Sequence, residues 1–282
     1  MEFTKMHGCG NDYIYINGFT QQVPIQEKQQ LARTLSDRHF GVGSDGLIFI
    51  NPSKIADFEM EMYNADGSRA EMCGNGIRCV GKYVYDHQMT NQTALTVESM
   101  GKIKNLNLTV IDGKVEKVCV DMGSPILEPR LIPALPTQET EHTSIINSPI
   151  IIEGTEWRMT CVSMGNPHAV VFVENVDDLV LDRGLGSSFE HNERFPNRTN
   201  TEFVKLLGRD KVQMRVWERG TGETLSCGTG CCAVAVAGVL NGLTDSRITV
   251  KVLGGELEIF WDQKSNRVFM TGPATEVFEG RI

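Results

Sequence analysis

Two cysteines stand directly ahead of glycine-bracketed tetrads, Cys73-Gly74-Asn75-Gly76 and Cys227-Gly228-Thr229-Gly230, and the two are 154 positions apart. An apolar segment of helical length follows each. The first N–H groups of a helix have no intrahelical partners, and with the macrodipole they make an anion site that glycines let a ligand approach closely. A thiol there gains a second use. The same donors favour the thiolate, which is expected to lower the thiol's pKa toward the range where it takes or gives a proton. Two such thiols facing one cleft suit one reaction in particular: one removes a proton from a carbon, the other delivers one to the opposite face, and the stereocentre inverts. No signature of a pyridoxal lysine or a nucleotide fold is present, so this chemistry is expected to need no cofactor.

The elements that position these thiols repeat. With the tetrads in register, Tyr63 to Cys73 aligns with Trp217 to Cys227 without a gap. In both, an alternating run (Phe58 to Tyr63; Val212 to Trp217) predicts a strand, and a Gly-rich polar turn follows. Gly10-Asn11-Asp12 matches Gly165-Asn166-Pro167 at an offset of 155, and Thr96-Val97-Glu98 matches Thr249-Val250-Lys251 at 153. Chance matching of strand and glycine patterns competes with any one of these; three segments with nearly one offset indicate a duplication. The expected fold is α/β (α+β): two pseudo-symmetric lobes, each a curled, mostly antiparallel sheet wrapped around a central helix, with the active site between them. Cys231 to Leu240 is apolar all round and predicts a helix covered on every side, ending at Asn241-Gly242. Ile77 to His87 carries a narrower stripe, Ile77, Val80 and Val84. Pro125, Pro129, Pro133, Pro136 and Pro149 mark Ser124 to Pro149 as the connection between lobes.

Composition narrows the partners. The chain of 282 residues has a formal net charge of -9 and no Lys/Arg cluster, which argues against a nucleic-acid surface. The N-terminus lacks a secretory apolar stretch and the longest apolar run is too short to span a bilayer, so the expectation is a cytoplasmic protein with no membrane partner. Eight irregularly spaced cysteines then read as reduced thiols. Cys9, Cys79, Cys119, Cys161, Cys231 and Cys232 suit small buried apolar positions. A zinc module would need closer pairing: no CxxC exists, and Cys73 and Cys79 would face opposite sides of one helix, so no metal is expected. A thiol-disulfide redox protein would also show CxxC.

The chain resembles the diaminopimelate epimerase family over essentially its full length, through "KMHGCGNDY" (Lys5 to Tyr13), "YNADGSRAEMCGNGIRC" (Tyr63 to Cys79), "SMGNPHAV" (Ser163 to Val170), "ERFPNRTNTEF" (Glu193 to Phe203) and "ERGTGETLSCGTG" (Glu218 to Gly230). The resemblance implies an isomerase of lysine biosynthesis that interconverts LL- and meso-2,6-diaminopimelate. Its lobes are then 1–119, with 269–282 returning as a strand, and 120–268. It implies Cys73 and Cys227 as the acid/base pair, with Gly74, Asn75, Gly228 and Thr229 on the reacting carboxylate. Asn11, Asn64, Asn166, Asn200, Glu218 and Arg219 hold the substrate's far end, and His168 supports the site. That far set is chemically apt, because an arginine reads a carboxylate, a glutamate an ammonium, and asparagines do both. A homodimer is implied as well. One departure stands out: many members carry Gln where this chain has Gly46, so a side-chain contact is absent there. The alternative is a proline racemase or hydroxyproline epimerase-like enzyme, whose cyclic substrate has no use for Glu218 and Arg219; a phenazine-biosynthesis type isomerase lacks the cysteine pair.

Overall fold

The computed structural model describes residues 1–70, 72–137 and 142–282, the side chain of Arg183 excepted, so part of the Pro-rich connection (138–141) lies outside the described residues. The chain forms two compact units, Met1–Asp121 with Thr271–Ile282, and Met122–Met270. In chain order the first lobe runs β1 (Glu2–Gly8), β2 (Asn11–Asn17), α1 (Ile25–Ser36), β3 (Gly46–Asn51), β4 (Phe58–Asn64), β5 (Arg69–Ala70), α2 (Gly74–Asp86), β6 (Ala94–Ser99), β7 (Lys102–Ile111) and β8 (Lys114–Gly123). The second runs β9 (Ser148–Ile152), β10 (Thr155–Ser163), β11 (Pro167–Phe172), α3 (Leu185–Glu190), β12 (Asn200–Leu206), β13 (Lys211–Glu218), β14 (Gly222–Thr224), α4 (Gly228–Leu240), β15 (Arg247–Val252), β16 (Gly255–Asp262) and β17 (Arg267–Pro273). The last strand, β18 (Thr275–Arg281), pairs antiparallel with β1.

The two lobes share one topology. The hairpin β1–β2 corresponds to β10–β11, the parallel pair β2–β3 to β11–β12, and the antiparallel pair β3–β4 to β12–β13. Short β5 returns on β4 as β14 does on β13. After the helix, β6 joins β4 in parallel and pairs with β7, as β15 joins β13 and pairs with β16. The fold is therefore mixed α/β, mostly antiparallel sheet with few helices, in two lobes.

Each tetrad opens a buried helix. In α4 every residue from Gly230 to Gly238 is buried, as its lack of a polar face requires. Its small residues allow close packing: a Cβ on Gly238 would stand 2.3 Å from Thr244 Oγ1. Asn241 caps the end. Helix α2 buries Ile77, Val80 and Val84 completely and leaves Tyr85 and Asp86 partly exposed.

Helix α1 is tied to β4 through Glu61. Its carboxylate accepts from Lys28 Nζ at 2.6 Å, Tyr63 Oη at 2.7 Å, Asn51 Nδ2 at 2.8 Å and Arg69 Nη1 at 3.0 Å. Burial works against the charge, but the Lys28 ammonium and the Tyr63 hydroxyl outweigh it and hold the carboxyl below its ordinary pKa. A folded pKa below the unfolded value of about 4.3 means that the contribution is complete above that pH and is lost as pH falls through the folded value. Glu61→Gln should therefore cost about 1 to 3 kcal/mol at pH 7 and much less at pH 3. Urea unfolding at both pH values checks this, and an equal loss at both would remove Glu61 as an acid-labile tie.

Candidate active site

Cys73 is the N-cap of α2. Its backbone is extended, and Sγ accepts from the N–H of Gly76 at 3.3 Å, the position that Ser, Asp or Asn usually takes. The thiol itself donates to Asn11 Oδ1 at 3.1 Å. Asn11 Nδ2 meets Asp45 Oδ2 at 2.6 Å, and since a carboxylate only accepts, this contact fixes the amide with its oxygen toward Cys73. Asp45 in turn takes Arg38 at 2.8 Å, and Asp12 takes both Arg38 and Lys5. The Tyr13 phenol lies beside the thiol, and burial followed by the Cys73 charge pushes its pKa well up. Arg78, fully buried one turn along α2, donates to Gly74 O at 3.1 Å, Asn75 Oδ1 at 2.9 Å and Pro273 O at 3.2 Å.

Cys227 occupies the matching N-cap of α4, with the same extended backbone. Its thiol faces Thr229 Oγ1 at 3.5 Å and makes no cap bond. Glu218, at the end of β13, sits next to it and accepts from Thr224 Oγ1 at 2.5 Å; burial raises the Glu218 pKa above the ordinary carboxylate value. Behind lies a pair buried completely: His168 Nδ1 and Glu202 Oε1 at 2.7 Å, with His168 Nε2 3.0 Å from Asn166 Oδ1. Asn200 Oδ1 accepts from the backbone N–H of Arg219 at 2.8 Å, while the exposed Arg219 side chain donates to Asn197 O. Asn64 donates to Ser68 Oγ at 3.0 Å within its own turn.

The strand register explains these groupings. Tyr13 pairs with Gly46 across β2–β3, and His168 with Asn200 across β11–β12, so the two rings hold equivalent places, Tyr13 next to Cys73 and His168 on Glu202. Gly46 has no room for a side chain: a Cβ would stand 2.1 Å from Tyr63 O. The structure thus brings Asn11, Asn75 and Cys73 together in one lobe, and Cys227, Thr229 and Glu218 in the other, with Asn166 and Glu202 joined through His168. Asn64 and Arg219 keep to local partners, and Asn200 spends its carbonyl on the Arg219 backbone.

The expected lowering of both thiol pKa values is corrected by the surroundings. Burial pushes Cys73 up, although Gly76 N–H, Tyr13 and Arg78 pull the other way. Cys227 is pushed well up by burial, then by the charges of Glu218 and Glu202. Desolvation of a thiolate outweighs a few helix N–H groups, and in lobe 2 it is reinforced by two carboxylates. Tyr13, Asp45, Arg78, Glu202 and Thr224 were not legible as site residues from type and spacing. Only the pairing register finds Tyr13 and Glu202. Among the described residues, His87, Glu276 and Glu279 bring possible metal-ligand atoms within 4.8 Å of one another, and no cysteine belongs to that group.

Two lobes of one topology, each wrapped on a buried helix, make a fold shared with a solved structure, that of a probable proline racemase from Agrobacterium radiobacter. That likeness has a TM-score of 0.73 at 14 % identity, covering 100 % of this chain and 92 % of the other. Sequence resolves the family within the fold: the family model described as Diaminopimelate epimerase matches residues 3–128 and 160–277. A diaminopimelate epimerase of Acetivibrio thermocellus is 56 % identical over 282 residues, covering 100 % of this chain and 98 % of the relative; one from Methanococcus maripaludis is 53 % identical, covering 100 % and 99 %. The chain belongs to the diaminopimelate epimerase family. No helix among the described residues is long and apolar enough to cross a membrane.

Proposed function

We propose that the protein interconverts LL-2,6-diaminopimelate and meso-2,6-diaminopimelate by proton transfer at one α-carbon, without a cofactor, as an isomerase of lysine biosynthesis. The observation that carries the mechanism is the matched pair of cysteine N-caps, because inversion needs a base on one face of the carbon and an acid on the other. The roles fall to Cys73 and Cys227. The amides of Gly74 and Asn75, and of Gly228 and Thr229, supply donors to the reacting carboxylate as negative charge spreads into it. Asn11, Asn64, Asn166, Asn200, Glu218 and Arg219 recognise the ammonium and carboxylate groups, with His168 in support. Bound substrate brings an ammonium group close to each raised thiol, which favours the thiolate that the free protein disfavours. The same reading makes the protein cytoplasmic and homodimeric. Incubation with LL-diaminopimelate in heavy water tests it: meso product and deuterium at the α-carbon should appear together, and absence of both would sink the proposal.

Arg219 separates this substrate from a cyclic amino acid. Its exposed guanidinium donates to the backbone carbonyl of Asn197, and that exposure supports a role in which it exchanges the carbonyl for a carboxylate. Arg219→Ala should lower kcat/KM for diaminopimelate by about 10- to 100-fold, the value of a charge-assisted contact in a partly solvated site. A mono-amino-acid analogue should lose little. An unchanged ratio between the two would favour the proline racemase-like alternative.

A further inference from the structure

The duplication allows the lobes to be compared residue by residue, and they differ beneath the cysteines. Ile48 of β3 and Glu202 of β12 are 154 positions apart, the offset that separates Cys73 from Cys227. They hold equivalent places in the register, opposite Tyr15 in one parallel pair and Val170 in the other. Both lie against the second glycine of their tetrad: a Cβ on Gly76 would stand 2.8 Å from Ile48 Cδ1, and one on Gly230 would stand 2.5 Å from Glu202 Oε1. One helix entrance rests on a methyl group, the other on a carboxylate.

That carboxylate is costly to keep. Glu202 is 0 % exposed; Oε1 meets His168, and Oε2 has no hydrogen-bond partner among the described residues. A bare buried carboxylate oxygen destabilises a fold, so an isoleucine at this place would serve packing better. Because a carboxylate only accepts, the hydrogen shared with His168 resides on Nδ1 whatever the charge of the ring.

We propose that Glu202 is a positioning residue for the epimerisation: it fixes His168 through Nδ1, and its charge beneath the first turn of α4 makes Cys227 hold its proton more firmly than Cys73 does, so that lobe 2 is set as proton donor and lobe 1 as acceptor. The ionisable groups bearing on Cys227 are Glu218 of β13 and Glu202 of β12, with the Thr229 hydroxyl on its own helix and His168 of β11 acting on Glu218. Both carboxylates oppose a thiolate there, whereas at Cys73 burial is countered by the Gly76 N–H, the Tyr13 hydroxyl and the Arg78 cation. Once the substrate ammonium has favoured the Cys73 thiolate and its proton has passed to solvent, the α-proton passes to that thiolate, the bonding pair stays on carbon and spreads into the carboxylate, and the Cys227 proton completes the inverted centre. Cys73 is then the thiol and Cys227 the thiolate, the form from which the reverse direction starts.

The catalytic consequence rests on the two-thiol reading, but the protonation order is measurable without turnover. The test is iodoacetamide alkylation of the intact protein as a function of pH, with each cysteine peptide followed by mass spectrometry. In wild type the Cys227 midpoint should lie above that of Cys73. Glu202→Gln keeps an acceptor for Nδ1 and removes the charge; the Cys227 midpoint should fall by about one pH unit or more while that of Cys73 stays. Glu202→Ile, which installs the residue of the matching place in lobe 1, should lower the midpoint similarly and also free the His168 ring, seen as loss of the hydrogen-bonded Nδ1–H signal by nitrogen-15 NMR. An unmoved Cys227 midpoint in folded Glu202→Gln overturns the proposal. If neither variant folds, wild type decides alone, and a Cys227 that reacts at lower pH than Cys73 overturns it. Failure of the heavy-water experiment would instead remove the two-thiol reading and leave the alkylation order standing.

Discussion

Cys227→Ala should turn over LL-diaminopimelate about 10² to 10⁴ times more slowly than wild type while binding it nearly as well. On the proposed reading the variant removes one of two proton-transfer groups and nothing that holds the substrate, since the donors proposed at this entrance are backbone amides of Gly228 and Thr229. Helix α4 should not notice the change either, because the Cys227 side chain makes no cap bond. Cys73→Ala differs in this respect. It loses the 3.3 Å bond to the Gly76 amide, and α2 should weaken by about 0.5 to 2 kcal/mol along with a comparable loss of turnover. Cys73→Ser, which restores a capping oxygen but not a thiol, should recover the stability and not the rate. Stopped assays for kcat, calorimetry for substrate affinity and urea unfolding for stability separate the three effects. A Cys227→Ala protein whose affinity falls as far as its kcat would show that the thiol is a binding group and not the acid or base.

Arg78→Leu should lower the unfolding free energy by about 3 to 5 kcal/mol. The guanidinium is wholly buried and serves Gly74 O, Asn75 Oδ1 and Pro273 O, so its loss strands three acceptors, two of them on buried residues. Lysine should not rescue it, because a single ammonium on a flexible stem cannot reproduce the planar fork that meets acceptors on α2 and at Pro273 together. A second readout follows from charge. Arg78 favours the Cys73 thiolate, so in the variant Cys73 should need a higher pH for alkylation. Equal urea midpoints for wild type and Arg78→Leu would show that the lobe does not depend on this residue.

How far the sequence carries depends on whether a feature is local or paired. The cysteine N-caps, the all-apolar α4 and the strands at Phe58 and Val212 follow from local pattern, and the repeat offsets carry the duplicated topology, since residues 154 apart fall at equivalent register places. Tyr13 and Glu202 stayed hidden for the same reason that they matter. Nothing near Glu202 in "NTEF" distinguishes it from a solvent-facing strand residue; only pairing of β12 with β11 sets it beside His168, and only the packing of α4 sets it against Gly230. The direction of the thiol pKa shifts is not legible in the sequence, because a helix entrance can be recognised in a motif, while the depth at which it is buried cannot. Asn11 shows a further limit, since its amide orientation depends on Asp45, thirty-four residues along the chain.

Helix α4 has no exposed face from Gly230 to Gly238, so it cannot open to water without uncovering the strands around it. Its amides from Ala233 to Ala237 should then exchange with deuterium only as fast as the whole second lobe unfolds, and they provide a clock for the global stability of that lobe. The last turn of α2, half-exposed at Tyr85 and Asp86, should exchange sooner through local fraying. Against so slow a background, the amides of Gly228 and Thr229, which precede the hydrogen-bonded ladder of α4, should exchange fast in the free protein and slow sharply when a carboxylate occupies them. Exchange at these two positions would report occupancy of the cradle by substrate, by analogue or by buffer anions, without any turnover at all.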